Sequence, residues 1–382
     1  MSSVLISGAS IAGPALAFWL RRRGHDVTVV EKSHALRGGG YPIDIRGTAL
    51  AVVERMGLLP RLREAHVHTR RITFLNPDGS TITSIRPEVI AGGDGNDLEV
   101  RRGDLAELLH DTVRDDVEFL FDNSIVAMDE HSDGVDVTFR SGLRRTYDHV
   151  IGADGLHSAV RELAFGPEER FHRYLGYCFA GFTLPNHLGL RQEAVMWNEP
   201  GRAAALYAVG TGESVHGFLS FGLTEAPFGA FRDPEARREL VASVFAGDGW
   251  EVPGLVKAMN EADDLFFDTV SQIRMPHWSS GRVALVGDAA YAPSFLTGQG
   301  SSLALVGAYV LAGHLGDFAG YERVMRPFVL ANQDLVDVGD AELFPGTAEA
   351  LAARNEALRS RETMPAEPAR PEHSALTLPD FS

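Results

Sequence analysis

Three short stretches of this 382-residue chain combine glycine with a nearby carboxylate in the pattern a bound dinucleotide requires. The first is Gly8-Ala9-Ser10-Ile11-Ala12-Gly13, with Glu31 closing the next apolar run. Glycine at 8 permits a tight turn and glycine at 13 lets a helix close on the preceding strand. Backbone N–H groups at the helix start are then left to hold a pyrophosphate, while Glu31 can accept hydrogen bonds from ribose hydroxyls. The second is Gly152-Ala153-Asp154-Gly155 and the third is Gly287-Asp288, each at the end of a buried-type strand. Each alone is a weak signal, because a strand ending in Gly-Asp is common. Their order and wide spacing point to one extended cofactor touched at three places.

Other residues extend this set. Ser10 stands where the fingerprint has its middle glycine, and its small side chain still allows close backbone approach. Arg102 opens a helix whose apolar residues recur at Leu105, Leu108, Leu109 and Val113. A cation is poorly placed at a helix start unless an anion such as phosphate partners it; a solvated arginine is the plain alternative. Asp154 has a plain alternative too, that of bracing its own turn. Gly298-Gln299-Gly300-Ser301 begins an almost wholly apolar helix whose bare amides would stabilise negative charge on the N1 side of a reduced flavin. Lys32 and Arg37, close to Glu31, and Asp44, beyond the Gly38-Gly39-Gly40 loop, complete the cofactor candidates.

The elements that must carry these residues follow from periodicity. Strand, glycine turn, helix, strand and acid over residues 4–31 begin a doubly wound sheet. The segments 117–121, 124–129 and 134–139 suggest a three-stranded meander that returns to that sheet through 147–151. The expected class is α/β, a Rossmann-like FAD-binding domain interleaved with a β-sheet substrate domain, followed by a C-terminal helix. The cofactor domain is expected over 1–70, 98–170 and 268–335, the substrate domain over 71–97 and 171–267, a C-terminal helix within 336–361, and a proline-rich tail over 362–382 that either covers the surface or is partly disordered.

Composition excludes several function classes. A net charge of −17 disfavours nucleic acid and anionic membranes, which need a positive surface. The single cysteine rules out an internal disulfide framework. No basic segment followed by an apolar run precedes Val4, and no apolar stretch approaches membrane-spanning length, so a cytoplasmic location is expected. The fourteen histidines show no metal-ligand spacing, and neither a serine elbow nor a Walker loop is present.

The segments 70–75, 81–85, 177–183, 193–197, 203–209 and 216–223 are expected to form one antiparallel sheet. Phe179, Met196, Trp197, Tyr207, Phe218 and Phe221 are its candidate lining residues, about half of them expected to be core. Phe179, Met196, Tyr207, Phe218 and, from the cofactor side, Phe295 are the substrate-contact candidates, a flat apolar surface suited to an aromatic molecule.

Taken together, residues 4 to 335 resemble the single-component FAD-dependent aromatic hydroxylases of the para-hydroxybenzoate hydroxylase type, including the tetracycline-inactivating monooxygenases. The resemblance implies FAD with NADPH or NADH, molecular oxygen and a small aromatic or polyketide substrate, oxygenated through a flavin C4a-hydroperoxide. It implies that Glu31 binds the adenosine ribose, Arg102 the pyrophosphate or ribityl region and Asp288 a ribityl hydroxyl. Asp154-Gly155 would shape a turn serving FAD and nicotinamide, and Gly298 to Gly300 would face the isoalloxazine. No protein side chain is expected as nucleophile. The chain departs from the family pattern at Tyr291, where a histidine is usual, and at Phe295, where a proline is usual. Both changes bear on the pocket beside the flavin. A flavin dehydrogenase or reductase, or a non-catalytic flavoprotein that sequesters a ligand, are the alternatives. A monomer or homodimer is expected.

Overall fold

The computed structural model describes residues 1–36, 38, 40–91, 95–210, 212–227, 233–336, 343–361 and 368–381. Two large sheets organise it. The first has six strands, in the spatial order Ser279–Ser280, Val283–Leu285, His149–Gly152, Ser3–Ser7, Asp26–Val30 and Glu118–Leu120. All neighbours run parallel except the antiparallel edge pair Ser279–Ser280 with Val283–Leu285. Its strands read as continuous apolar runs because helices cover both faces. The helix Ala12–Arg22 packs against Gly300–Gly313, whose residues from Ser302 to Ala312 are all buried.

The meander forms one strand later than expected. Ile125–His131, Gly134–Phe139 and Arg144–Tyr147 make the three-stranded sheet, whereas Glu118–Leu120 pairs with Asp26–Val30 as an edge of the parallel sheet. Short apolar runs carry no label for the partner they will pair with.

The second sheet has seven strands, Phe266–Ile273, His172–Pro185, Ser214–Gly222, Arg202–Ala208, Glu193–Glu199, Arg71–Leu75 and Thr81–Ile85. It departs from the expectation in two ways. Glu193–Glu199 and Arg71–Leu75 pair in parallel, because the chain crosses to the cofactor side and returns between them. The strand Phe266–Ile273 belongs to it by pairing with His172–Pro185, so the expected boundary at 268 falls inside a strand. One face of this sheet is covered by the helices Pro234–Val244 and Val252–Glu261, neither read from the sequence, and holds the core that includes Trp197 and Phe221. Those two lining candidates are therefore packing residues.

A two-stranded antiparallel ribbon, Pro42–Ile45 with Leu98–Arg101, lies between the sheets in sequence and was not anticipated. The C-terminal helix runs Ala348–Arg361. It packs over the edge strand Thr81–Ile85 and the interior strand Glu193–Glu199, where Arg354 donates to Asn198 Oδ1 at 2.9 Å and lies over the Phe74 ring. Residues 368–381 run across the cofactor side. There Thr48 Oγ1 donates to Leu376 O at 2.8 Å and Tyr309 Oη to Pro379 O at 2.7 Å, and the Phe381 ring packs on Tyr309 and His314. Among the described residues no helix is long and apolar enough to cross a membrane.

Candidate active site

The C-terminal ends of the parallel strands bring the three glycine–acid stretches together. A Cβ built on Gly8, which has φ +110°, would fall 2.4 Å from Ala153 O, and one on Gly13 would fall 1.9 Å from Gly8 O. A Cβ on Gly287 would stand 3.1 Å from the Ala12 methyl. The first loop thus touches both of the others, at approaches that glycine allows.

Glu31 reaches back to this loop, its carboxylate accepting from Ala9 N at 2.9 Å and Ser33 N at 3.0 Å. Arg102 donates from Nη2 to Ser10 Oγ at 2.7 Å, so the serine that replaces a glycine anchors the cation to the loop. Asp154 is engaged within its own turn: it accepts from Ser158 Oγ and from Val160 N at 3.1 Å, and Ser158 in turn caps the helix Ala159–Phe165. The bracing alternative describes its carboxylate. Lys32 is exposed beside Glu31, and Arg37 lies outside the described residues.

At the other end of the site, Gln299 precedes the helix Gly300–Gly313. Its side chain is 0% exposed, and neither Nε2 nor Oε1 has a partner in the protein. Leaving a buried polar group unpaired costs about 1–3 kcal/mol. A ligand edge presenting both donor and acceptor, such as the pyrimidine ring of a flavin, would satisfy both atoms. Asp288 lies deep in the protein yet its side chain is exposed, so its carboxyl faces an open cleft; burial pushes its pKa up. A Cβ on Gly300 would stand 3.8 Å from Asp288 Oδ1, and one on Gly298 would stand 3.1 Å from Asp44 Oδ2. Asp44 is in turn ion-paired with Arg46 at 3.1 Å, whose own N–H donates to Ser302 Oγ. Gly155 and Ser301 border the same turns. Glycine contacts at the dinucleotide loop, a cation beside it, an acid on the cleft and an unpaired amide at the far helix fit an FAD extended across the site.

The two departures from the family pattern separate here. Tyr291 is fully buried: its ring packs on Trp278, its hydroxyl lies 3.0 Å from that of Tyr321, and Gly307 makes room for it. It takes no pocket space. Phe295 is 43% exposed and follows Ser294, which sits at φ +79°, a strained conformation for serine. Its ring meets Phe179 edge-on at 4.8 Å and Phe344 at 6.2 Å.

All four sheet candidates project from the face opposite the helix-covered core. Met196, Ala205, Phe218 and Gly181 form one cross-strand row, Tyr207 lies two residues on from Ala205, and Phe179 two residues before Gly181. Phe218 meets the Tyr41 ring at 6.0 Å. Met196 also packs with Phe74, Ile85 and Leu358, at the end closed by the C-terminal helix. The sequence reading missed Tyr41, Arg46, Thr69 and Glu99. Only Tyr41 carried a signal, its place directly after the glycine loop. Among the described residues no group of His, Cys, Asp and Glu could hold a metal ion.

The family model described as an FAD binding domain matches residues 1–175. A flavin-dependent monooxygenase from an unidentified prokaryote is 36% identical over 337 residues, covering 86% of this chain and 87% of its own. The chain belongs to the FAD-dependent monooxygenases. An uncharacterized protein of Mycobacterium tuberculosis is 44% identical over 346 residues, covering 88% of this chain and 93% of its own. The crystal structure of the tetracycline destructase Tet(55) matches this FAD-dependent monooxygenase with a TM-score of 0.85 at 33% identity, over 99% of this chain and 98% of that one. The unpaired Gln299 amide and the cleft-facing Asp288 therefore lie in an enzyme that binds FAD.

Proposed function

We propose that this FAD-dependent monooxygenase consumes NADPH or NADH and oxygenates a bulky aromatic or polyketide-type molecule held between the seven-stranded sheet and the Gly298–Gly300 turn. The observation that carries this reading is the shared face of Phe179, Met196, Tyr207 and Phe218, with Phe295 reaching it from the cofactor side. A flat apolar surface of that size suits a fused-ring substrate better than a small polar one. The name of the similar protein Tet(55), a tetracycline destructase, supports a polycyclic class.

On this reading the amides of Ser10, Ile11, Ala12 and Gly13, with Arg102, hold the pyrophosphate, and Gly8, whose own N–H donates to Val30 O at 2.8 Å, makes the turn that brings them to it. Glu31 and Lys32 lie at the adenosine end, Asp44, Gly287 and Asp288 along the middle, and Gly298, Gln299, Gly300 and Ser301 at the isoalloxazine. Asp154 and Gly155 keep the glycine loop in register from the side. When bound, FAD supplies hydride acceptance and oxygen activation. The chain's own residues orient the substrate and exclude water from the reacting atoms, which is where the apolar face and the C-terminal helix act. The division of labour follows the two sheets, and since every named group comes from one chain, a monomer or homodimer suffices. A cytoplasmic location, where reduced nicotinamide is available, fits this chemistry.

The test is NADPH oxidation by the purified, FAD-loaded protein across a panel of polycyclic phenols and antibiotics, with peroxide and products quantified together. Substrate-stimulated oxidation coupled to a product heavier by one oxygen atom is expected. Peroxide alone would favour a reductase, and tight ligand binding without stimulated oxidation a sequestering flavoprotein; either result refutes the proposal.

A further inference from the structure

One polar cluster borders the substrate face: the Tyr207 ring belongs to that face, but its hydroxyl and the groups it meets serve neither the cofactor nor the apolar contacts. Tyr207, on that face, directs its hydroxyl at Glu99 Oε1 and at Thr69 Oγ1, and Thr69 Oγ1 donates to Glu99 Oε2 at 2.6 Å. The three groups come from three places in the fold. Tyr207 belongs to Arg202–Ala208, Glu99 to Leu98–Arg101, and Thr69 to the segment entering Arg71–Leu75. Glu99 is paired across the ribbon with Asp44, which lies against the Gly298 turn, so the cluster stands between the substrate face and the flavin-facing loop. All three side chains keep partial access to solvent.

We propose that Tyr207 and Glu99 form a proton-accepting pair for an acidic hydroxyl, phenolic or enolic, on the substrate. The inference rests on the substrate class argued above. Three oxygen–oxygen contacts in the cluster share only two hydroxyl hydrogens while Glu99 is ionised, so one further proton completes the set. As the substrate O–H bond breaks, its proton passes to Tyr207 Oη, and the Tyr207 hydroxyl proton passes to Glu99 Oε1. The products are a substrate oxyanion, a restored tyrosine and a neutral Glu99 carboxyl. Tyr207 touches the substrate, and Glu99 acts through it. The oxyanion enriches electron density at the neighbouring ring carbons, which favours transfer of an electrophilic oxygen atom to them.

The surroundings suit Glu99 as the resting place for the proton. Burial and the facing Asp44 carboxylate hold its carboxyl above the usual range, although Thr69, Tyr207 and the Arg46 guanidinium act against this. Burial and Glu99 push the Tyr207 phenol up, so the tyrosine relays a proton and does not remain ionised. The other charged and titratable groups facing the cluster are Asp97, ion-paired with Arg46 at 4.0 Å; His66, stacked on His68; and His216, which is paired with Tyr207 across the strands and has Arg101 nearby.

The test compares the parent holoenzyme with Glu99→Gln and Tyr207→Phe, using a hydroxyl-bearing aromatic that stimulates NADPH oxidation in the parent, from below to above that compound's own pKa. Below it, kcat for product formation should fall by about a hundredfold in either variant, the usual effect of a lost general base. The deficit should shrink as rising pH ionises the substrate in solution, while FAD content and melting temperature stay at parent values. A deficit constant across pH, or a loss of less than twofold, overturns the pair's role while leaving the oxygenation reading intact. If no hydroxyl-bearing compound stimulates the parent, the substrate class fails and this inference fails with it. Should Glu99→Gln lose FAD, Tyr207→Phe carries the comparison alone, because it keeps the ring and deletes only the relay atom.

Discussion

Gly307→Ala tests the idea that Tyr291 occupies core space and not pocket space. An alanine methyl at 307 would sit 1.9 Å from Tyr291 Oη, 3.2 Å from its Cζ and 3.3 Å from Val286 Cγ2. The hydroxyl has little room to retreat, because Tyr291 is fully buried and its oxygen lies 3.0 Å from that of Tyr321. Overpacking of this kind reaches about 3 kcal/mol, while replacing a mid-helix glycine by alanine returns about 1 kcal/mol, leaving a net loss of about 2 kcal/mol. Unfolding entropy scales with chain length, so for a protein of this size that loss lowers Tm by about 2–3 °C. The discriminating variant is Tyr291→Phe. Alone it should cost about 1 kcal/mol for the lost hydrogen bond, since Tyr321 keeps Leu285 O as a partner at 3.1 Å. Combined with Gly307→Ala it removes the clashing atom, and the double mutant should be more stable than Gly307→Ala alone. Denaturant melts of the four proteins in the cycle give the coupling energy, expected near 2 kcal/mol. A Gly307→Ala protein as stable as the parent, or a Tyr291→Phe change that leaves its cost untouched, would refute the placement of this ring.

Three further outcomes follow from the site. Arg102→Ala removes the cation bonded to Ser10 and should weaken FAD binding by roughly tenfold or more, as expected for loss of a charged hydrogen bond; an unchanged Kd in a fluorescence titration would remove Arg102 from the cofactor site. Phe295→Ala deletes the exposed ring that meets Phe179 and should raise KM for a polycyclic substrate by roughly 2–10-fold, the worth of an aromatic contact, with FAD content unchanged; steady-state kinetics with an unaltered KM would show that the ring does not touch substrate. His157 has its two ring nitrogens against Asp268 at 3.1 Å and Glu168 at 2.8 Å, and these carboxylates raise its pKa to about 10 against the opposing effect of burial. Its folded pKa is raised, so its stabilising contribution is full below the ordinary histidine pKa of about 6.5 and fades as pH climbs through about 10. The side chain is 47% exposed, which makes the contribution small, but the stability difference between parent and His157→Gln should shrink steadily between pH 7 and pH 10 on a denaturant series. A difference that stays constant over this range would exclude a charged His157.

Local chemistry made much of this protein legible from its sequence. Glycine stereochemistry marks the Gly8–Gly13 turn and the ends of the strands before Asp154 and Asp288 without reference to anything distant. Apolar runs mark the strands, and a nearly unbroken run of small and apolar residues marks the buried helix Gly300–Gly313. The cofactor class follows because three short motifs, each locally encoded, serve one extended ligand. What only the tertiary structure decided depends on pairings between residues far apart in the chain. Alternation along a strand shows that Met196 and Trp197 face opposite ways, but not which of them meets the helices and which the cleft. Pairing with His172–Pro185 places Phe266–Ile273 in the second sheet, and a parallel register joins Glu193–Glu199 to Arg71–Leu75. The contact of Tyr207 with Glu99 and Thr69 spans 108 and 138 residues of chain. The room that Gly307 leaves for Tyr291 exists only once the helix Gly300–Gly313 has packed against the short helix Asp288–Tyr291. Such contacts have no local signature, because the free energy that selects them comes from burying surfaces that meet only after the whole chain has folded.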